Sequence, residues 1–220
     1  MKKLCVVTCC IAMLFAFSPV FAQNAGKIEA GDLGFTFFTG IILPYEFVED
    51  GMIGQPESGL RTLGVGMSYH PMQYISVEPG VFFMKQDREK EYHTSSSTTD
   101  VSSLLIGTSL GLYYNMEMPG NLYVYMGPRL DFSRYERDTD YSSGSKNNAN
   151  QNIISLSAIL GFKYMISDHF GIFSDIGLSF TTRNETYKAW DSTGTVTVDE
   201  ETNETTITLS RAIIGVIFYL

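Results

Sequence analysis

Eight stretches of this sequence alternate apolar and polar residues with a period of two, and the links between them alternate short and long. A strand turns successive side chains to opposite faces, so each stretch reads as a strand with one apolar and one polar face. Tight turns on one side, long links on the other and an even strand number predict an all-β fold. It is an eight-stranded antiparallel up-and-down transmembrane β-barrel. The predicted strands cover about 32–43, 61–70, 74–85, 101–115, 121–134, 152–166, 170–183 and 205–220.

Which face points inward separates a secreted soluble barrel from a membrane barrel. Strand six carries Ile154, Leu156, Ala158, Leu160, Phe162 and Tyr164 on one side, against Ser155, Ser157, Ile159, Gly161 and Lys163. Strand seven carries Ile172, Ile176, Leu178 and Phe180 against Asp175, Gly177, Ser179, Thr181 and Arg183. Strand five carries Leu122, Val124, Met126, Leu130 and Phe132 against Tyr123, Tyr125, Gly127, Arg129 and Asp131. The glycines gather on the polar face, as a narrow and crowded interior requires, which leaves the broad apolar face pointing outward into lipid. Thirteen Tyr, fifteen Phe and twenty Gly suit pleated walls, and no apolar run of about eighteen residues follows the N-terminus. A net charge of −9 argues against a nucleic-acid partner.

Residues 1–22 read as a signal peptide. Lys2 and Lys3 open it, Leu4 to Phe17 form its apolar stretch, and Val20-Phe21-Ala22 offers a small-residue cleavage site. Residues 23–30 form a short N-terminal segment, and 31–220 the barrel domain. All three cysteines (Cys5, Cys9 and Cys10) fall inside the signal, so no disulfide is expected in the exported chain. Thr8 before Cys9 is unlike the small residue that precedes a lipidated cysteine.

The short links are 71–73, 116–120 and 167–169. The long ones, 44–60, 86–100, 135–151 and 184–204, are rich in Ser, Thr, Asn and Asp. Both termini then lie on the short-turn, periplasmic side, and four long loops face outward.

The stretches I-S-V-E-P-G-V-F-F (75–83), L-Y-V-Y-M-G-P-R-L-D-F (122–132) and A-I-I-G-V-I-F-Y-L (212–220) resemble the third, fifth and C-terminal strands of one family. It is the small bacterial outer-membrane β-barrel family typified by the OmpA transmembrane domain and OmpX. The resemblance implies residence in the outer membrane of a Gram-negative-type bacterium, in contact with its lipids. It also implies insertion by the barrel-assembly machinery with the help of periplasmic chaperones. The family includes adhesins, defence-evasion proteins, structural proteins and a few lipid-modifying enzymes, so it does not name an activity.

Six charged residues fall on inward positions: Glu78, Arg129, Asp131, Lys163, Asp175 and Arg211. Three acids and three bases balance, and a charge isolated in a confined interior costs several kcal/mol unless it is paired. They are expected to form a lumen charge network that plugs the barrel, with Asp175 beside Arg211 and Arg129 beside Asp131. A gated ion path is the alternative. The acids Glu185, Asp191, Asp199, Glu200, Glu201 and Glu204 in the fourth loop, and Glu46, Glu49, Asp50 and Glu57 in the first, could bind divalent cations or a basic partner, but Asp199-Glu200-Glu201 lacks calcium-loop spacing. Tyr45, Phe47, Tyr92, Tyr135, Tyr187 and Trp190 are expected as interface anchors at loop bases. His70 and His169 fall at periplasmic turns. His93, with Ser95, Ser96, Ser97 and Asp100, is the only candidate for a base–nucleophile pair. Pro79 and Pro128 are expected to mark local bulges or bends in the wall. The reading is a monomer with no catalytic, cofactor or metal site and a structural or surface-interaction role through its long loops. A minor channel is the first alternative, and a lipid-directed enzyme at the outer rim the second.

Overall fold

A computed structural model of the chain describes residues 28–42, 60–92 and 97–220, with the side chains of 41–42, 60–61, 88, 90–92, 97 and 208–211 outside that description. The signal peptide, the first long loop and His93 lie outside the described residues. The strands are β1 (Leu33–Ile42), β2 (Leu60–Met72), β3 (Ile75–Tyr92), β4 (Ser97–Met118), β5 (Leu122–Tyr141), β6 (Lys146–Met165), β7 (Phe170–Trp190) and β8 (Val196–Tyr219). Each pairs antiparallel with the next, and β8 pairs back onto β1 from Gly34↔Tyr219 to Ile42↔Arg211, closing the barrel. Closure leaves no edge strand inside lipid, where an unpaired peptide group is costly.

The faces fall as the alternation predicts. Leu156, Leu160, Phe162, Ile176, Leu178 and Phe180 are exposed on the outside, while Ser157, Lys163, Asp175 and Ser179 are buried inside. Outward side chains stay apolar up to Phe83, Leu104, Phe132, Ile154, Phe180 and Ile207. The next outward positions are Lys85, Ser102, Arg134, Asn152, Thr182 and Thr205. Across the register this boundary steps downward, since Leu104 pairs with Glu136 and Ile154 with Thr182. Tilted strands crossing a level membrane surface produce that step. At the other end Tyr69, Tyr74 and Tyr114 point outward beside the short turns. Tyr74 and Tyr114 sit with ring centroids 6.2 Å apart and form part of an aromatic girdle at the short-turn end.

Two expectations need correction. Most of residues 86–100, 135–151 and 184–204 do not form irregular loops. They continue β3 to β8 well past the apolar boundary, leaving tips at 142–145 and 191–195. Ser, Thr, Asn and charged residues read as loop by composition, but a neighbour already in register gives each next residue a ladder to join. Pro79 and Pro128 are not bulges: pairing lapses on one side of each, and the register continues unshifted. Register shifts instead fall between Tyr69 and Met72, Gly177 and Leu178, and Ala189 and Trp190.

Protease added to sealed cells should therefore nick at 142–145 and 191–195 and spare 119–121 and 166–169, as peptide mapping would reveal. Cleavage at 119–121 would invert the topology.

The interior is filled in layers. A floor at the short-turn end holds Ile28, Tyr123, Met165, Phe173, Ile213, Ile217 and Tyr219. A roof toward the long hairpins holds Phe82, Met84, Leu105, Tyr135 and Ile153, with Leu105 completely buried. Phe38 packs against both. Two consecutive apolar residues, as in Phe82-Phe83 or Leu104-Leu105, send one side chain to lipid and the other inward. Eight strands leave a bore narrow enough for side chains to fill it. Inward aromatic rings lie across glycines of the wall: Tyr125 over Gly161, Phe38 over Gly64 and Phe82 over Gly107. A methyl group at Gly161 would fall within the Tyr125 ring.

Candidate functional site

Between floor and roof, β3 supplies Glu78, β5 supplies Arg129 and Asp131, β6 supplies Lys163 and β7 supplies Asp175. All five stand on inward positions because the period of two places them there. Arg129 Nε donates to Asp131 Oδ1 at 2.8 Å, two residues along the same face. The same guanidinium lies within electrostatic reach of Asp175. Tyr125 donates its hydroxyl to Asp175 Oδ2 at 3.2 Å. The expected partner of Asp175 was Arg211, whose side chain lies outside the described residues. The backbone register opposes Asp175 with Ile213 and Gly177 with Arg211.

Among the described residues Lys163 is the most enclosed charge, with 2% of its side chain exposed. Its ammonium donates to the Tyr219 hydroxyl at 2.9 Å and stands 3.7 Å from Glu78 Oε1. It also lies 5.7 and 5.6 Å from the ring centroids of Tyr125 and Tyr219. A cation taken from water retains much of its solvation when hydroxyl, carboxylate and aromatic faces surround it. Glu78 accepts in turn from Ser68 at 2.8 Å and Ser76 at 3.2 Å, and Asn115 Nδ2 donates to Ser76 Oγ at 3.0 Å. Tyr219 shares a further hydrogen bond with His70 Nε2 at 3.1 Å.

His70 thus differs from its expected place: it lies on β2 with its ring fully buried. The signal for it was present, because Thr62, Gly64, Gly66, Ser68 and His70 share one parity. Tyr219 was legible in the same way, as the odd neighbour of the outward series Ile214, Val216 and Phe218.

The second assembly lies beyond the membrane. In register, Asp138, Asn148, Lys188 and Asp199 form one outward row across β5 to β8. Asn148 Nδ2 donates to Asp138 Oδ1 at 2.7 Å, and Lys188 Nζ meets Asp199 Oδ2 at 3.1 Å. Lys146 pairs with Asp140 at 3.1 Å and Arg134 with Glu136 at 2.7 Å, while Arg183 pairs with Glu204. The exposed pairs Lys146–Asp140, Arg134–Glu136 and Lys188–Asp199 contribute about 0.2–1 kcal/mol each. Of the acids expected to crowd the fourth loop, Glu185, Asp199, Glu201 and Glu204 thus stand on strands beside partners, while Asp191 lies in the hairpin tip. Toward β3 the balance changes: Asp87, Glu89, Asp100, Asp138 and Asp140 line a recess of about 390 Å³.

The anchor assignment also changes. Tyr135 belongs to the roof, 2% exposed, with its hydroxyl donating to Ser103 Oγ at 3.1 Å. Trp190 ends β7 at a hairpin tip. Tyr45 and Phe47 lie outside the described residues, as does the side chain of Tyr92.

The 191–195 tip is held by one carboxylate. Asp191 Oδ1 accepts from the Thr193 hydroxyl at 2.6 Å and from the amides of Thr193 and Thr195 at 2.9 Å each. These donors favour the ionised form, the Thr193 hydroxyl most, and hold the carboxyl below the usual Asp range. Because the folded pKa is depressed, the order it confers is complete above about pH 3.9, the ordinary Asp value. It is lost as pH falls through the lower folded pKa. Amide shifts of Thr193 and Thr195 should move through that acid window, and Asp191→Ala should show the opened tip at every pH. An unchanged tip in the variant would remove this role.

No protein-family model and no curated protein matches the sequence. Among solved structures, the chain is similar to OprG from Pseudomonas aeruginosa, with 17% identity, a TM-score of 0.53 and coverage of 91% of this chain and 99% of that one. It is also similar to a major outer membrane protein from Thermus thermophilus, with 12% identity, a TM-score of 0.52 and coverage of 86% and 99%. At these identities the likeness is one of fold.

Proposed function

We propose that this chain, whose fold is that of the small bacterial outer-membrane β-barrels, is a structural and surface-interaction protein that works through its outer hairpins. The observation that carries the reading is the continuation of β5 to β8 as one paired sheet beyond the apolar boundary. From Thr181 to Trp190, β7 alone extends roughly 30 Å at about 3.3 Å per residue. A paired sheet holds exposed side chains in fixed relation, which lowers the ordering cost of recognition compared with a flexible loop. The filled lumen supports an interaction role over conduction. In this reading residues 1–22 are removed on export and the mature chain begins at Gln23. Intact mass of membrane-extracted protein tests that, and a lipidated Cys9 form would contradict it.

The folded barrel should be screened against extracellular-matrix proteins and serum components. The control joins Arg183 to the 191–195 tip and the tip to Glu204, shortening only the β7–β8 hairpin. Binding by the parent that the control loses supports the proposal. Equal binding by both, or stepwise conductance of the parent in planar bilayers, overturns it in favour of the channel reading.

A further inference from the structure

We infer that residues 28–32 form a strap that stops the periplasmic mouth of the barrel and shields the Lys163–Glu78–Tyr219 layer behind it. The segment precedes β1 and pairs with no strand of the barrel except at its end. Gly31, at φ +98°, reverses the chain there, a conformation that favours glycine. The reversal turns Ile28 back into the mouth, where it is 4% exposed among Tyr123, Met165, Phe173, Ile217 and Tyr219. Its amide donates to the Tyr123 hydroxyl at 3.2 Å.

The strap is tied at few points. Gly31 N donates to His70 O at 2.7 Å, His70 N donates to Asp32 O at 2.9 Å, and Glu29 N donates to Asp32 Oδ2 at 2.7 Å. One buried side chain and a handful of hydrogen bonds hold it, against continuous ladders everywhere else in the floor. Segments with so few buried contacts open at far lower free energy than the fold as a whole. Behind Ile28 stand Tyr219, then Lys163 and His70, then Ser68 and Glu78. Withdrawing the strap exposes this polar layer to periplasmic water. The roof of Phe82, Met84, Leu105, Tyr135 and Ile153 stays shut above it. The barrel is thus closed twice, by a fixed roof and by a removable stopper.

The test uses the refolded full mature chain, which has no cysteine after Cys10. Ser68→Cys reports the layer behind the strap, and Ser179→Cys reports the wall deeper inside, both buried. Each is combined with Ile28→Asp or with removal of residues 23–31, and a water-soluble maleimide is added. Ser68→Cys should react at least tenfold faster in both strap variants than with the strap intact, while Ser179→Cys stays protected and the folded gel mobility is kept. An equal rate at Ser68→Cys with and without the strap overturns the inference. Where a strap variant loses its folded mobility and both cysteines react, the milder Ile28→Ser is read by the same two criteria.

Discussion

Replacing Glu78 with alanine should lower the unfolding free energy of the barrel by about 3–5 kcal/mol, the usual cost of leaving one member of a buried ion pair without its counterion. Lys163 would keep the Tyr219 hydroxyl and two aromatic faces but lose the carboxylate 3.7 Å away. Ser68 and Ser76 would lose their acceptor as well. Adding Lys163→Met should restore most of the loss, since removing both charges relieves the burden of an uncompensated one. The coupling from that double-mutant cycle separates pairing from packing. Urea unfolding in detergent or lipid, followed by gel mobility and Trp190 fluorescence, ranks the variants. A Glu78→Ala barrel that unfolds like the parent would mean that lumen water, and not Glu78, compensates Lys163.

Gly161→Ala should destabilise by about 1–3 kcal/mol through overpacking. In a site with room, the same change would stabilise by about 0.4–1 kcal/mol through the unfolded chain, so the two effects differ in sign. Overpacking wins here because the new methyl meets the Tyr125 ring. That ring is held by Tyr113, centroid to centroid 5.3 Å, and by its hydrogen bond to Asp175. Ile176→Val on the lipid face should cost about 1 kcal/mol or less and serves as the control. A neutral or stabilising Gly161→Ala would show that Tyr125 is free to move.

The alternation made the strands legible, and with them the inward placement of Glu78, Arg129, Asp131, Lys163 and Asp175. A period of two gives the face of a residue but not its height or its position around the barrel. Those depend on the stagger between strands, which no single segment encodes. Arg129–Asp131 was therefore foreseeable, because the pair shares one strand. Lys163 on β6 meeting Glu78 on β3 across the bore was not. The hydrogen bond between Tyr219 and His70, across 149 residues, was hidden for the same reason, although the inward face of each was legible. The hairpins were misread because local composition outweighed pairing: Asn147, Asn148 and Asn150 are poor strand formers by themselves, yet β5 and β7 hold them on both sides. The roof was hidden because a run such as Leu104-Leu105-Ile106 gives no sign of which residue turns inward until the register is known.

Brominated-lipid quenching of introduced tryptophans tests most directly whether this is a membrane barrel with an outward apolar face and a closed lumen. Trp190 is the only tryptophan, so a Trp190→Phe background isolates each new probe. Phe162→Trp and Phe180→Trp replace rings about half exposed on the outer wall, and Phe82→Trp and Phe173→Trp replace buried rings of the roof and floor. The outer pair should be quenched strongly by brominated lipid and little by aqueous iodide, while the inner pair should be shielded from both. Iodide quenching of the inner pair would show an open, water-filled bore. Iodide quenching of the outer pair without lipid quenching would show that the barrel does not lie in a membrane.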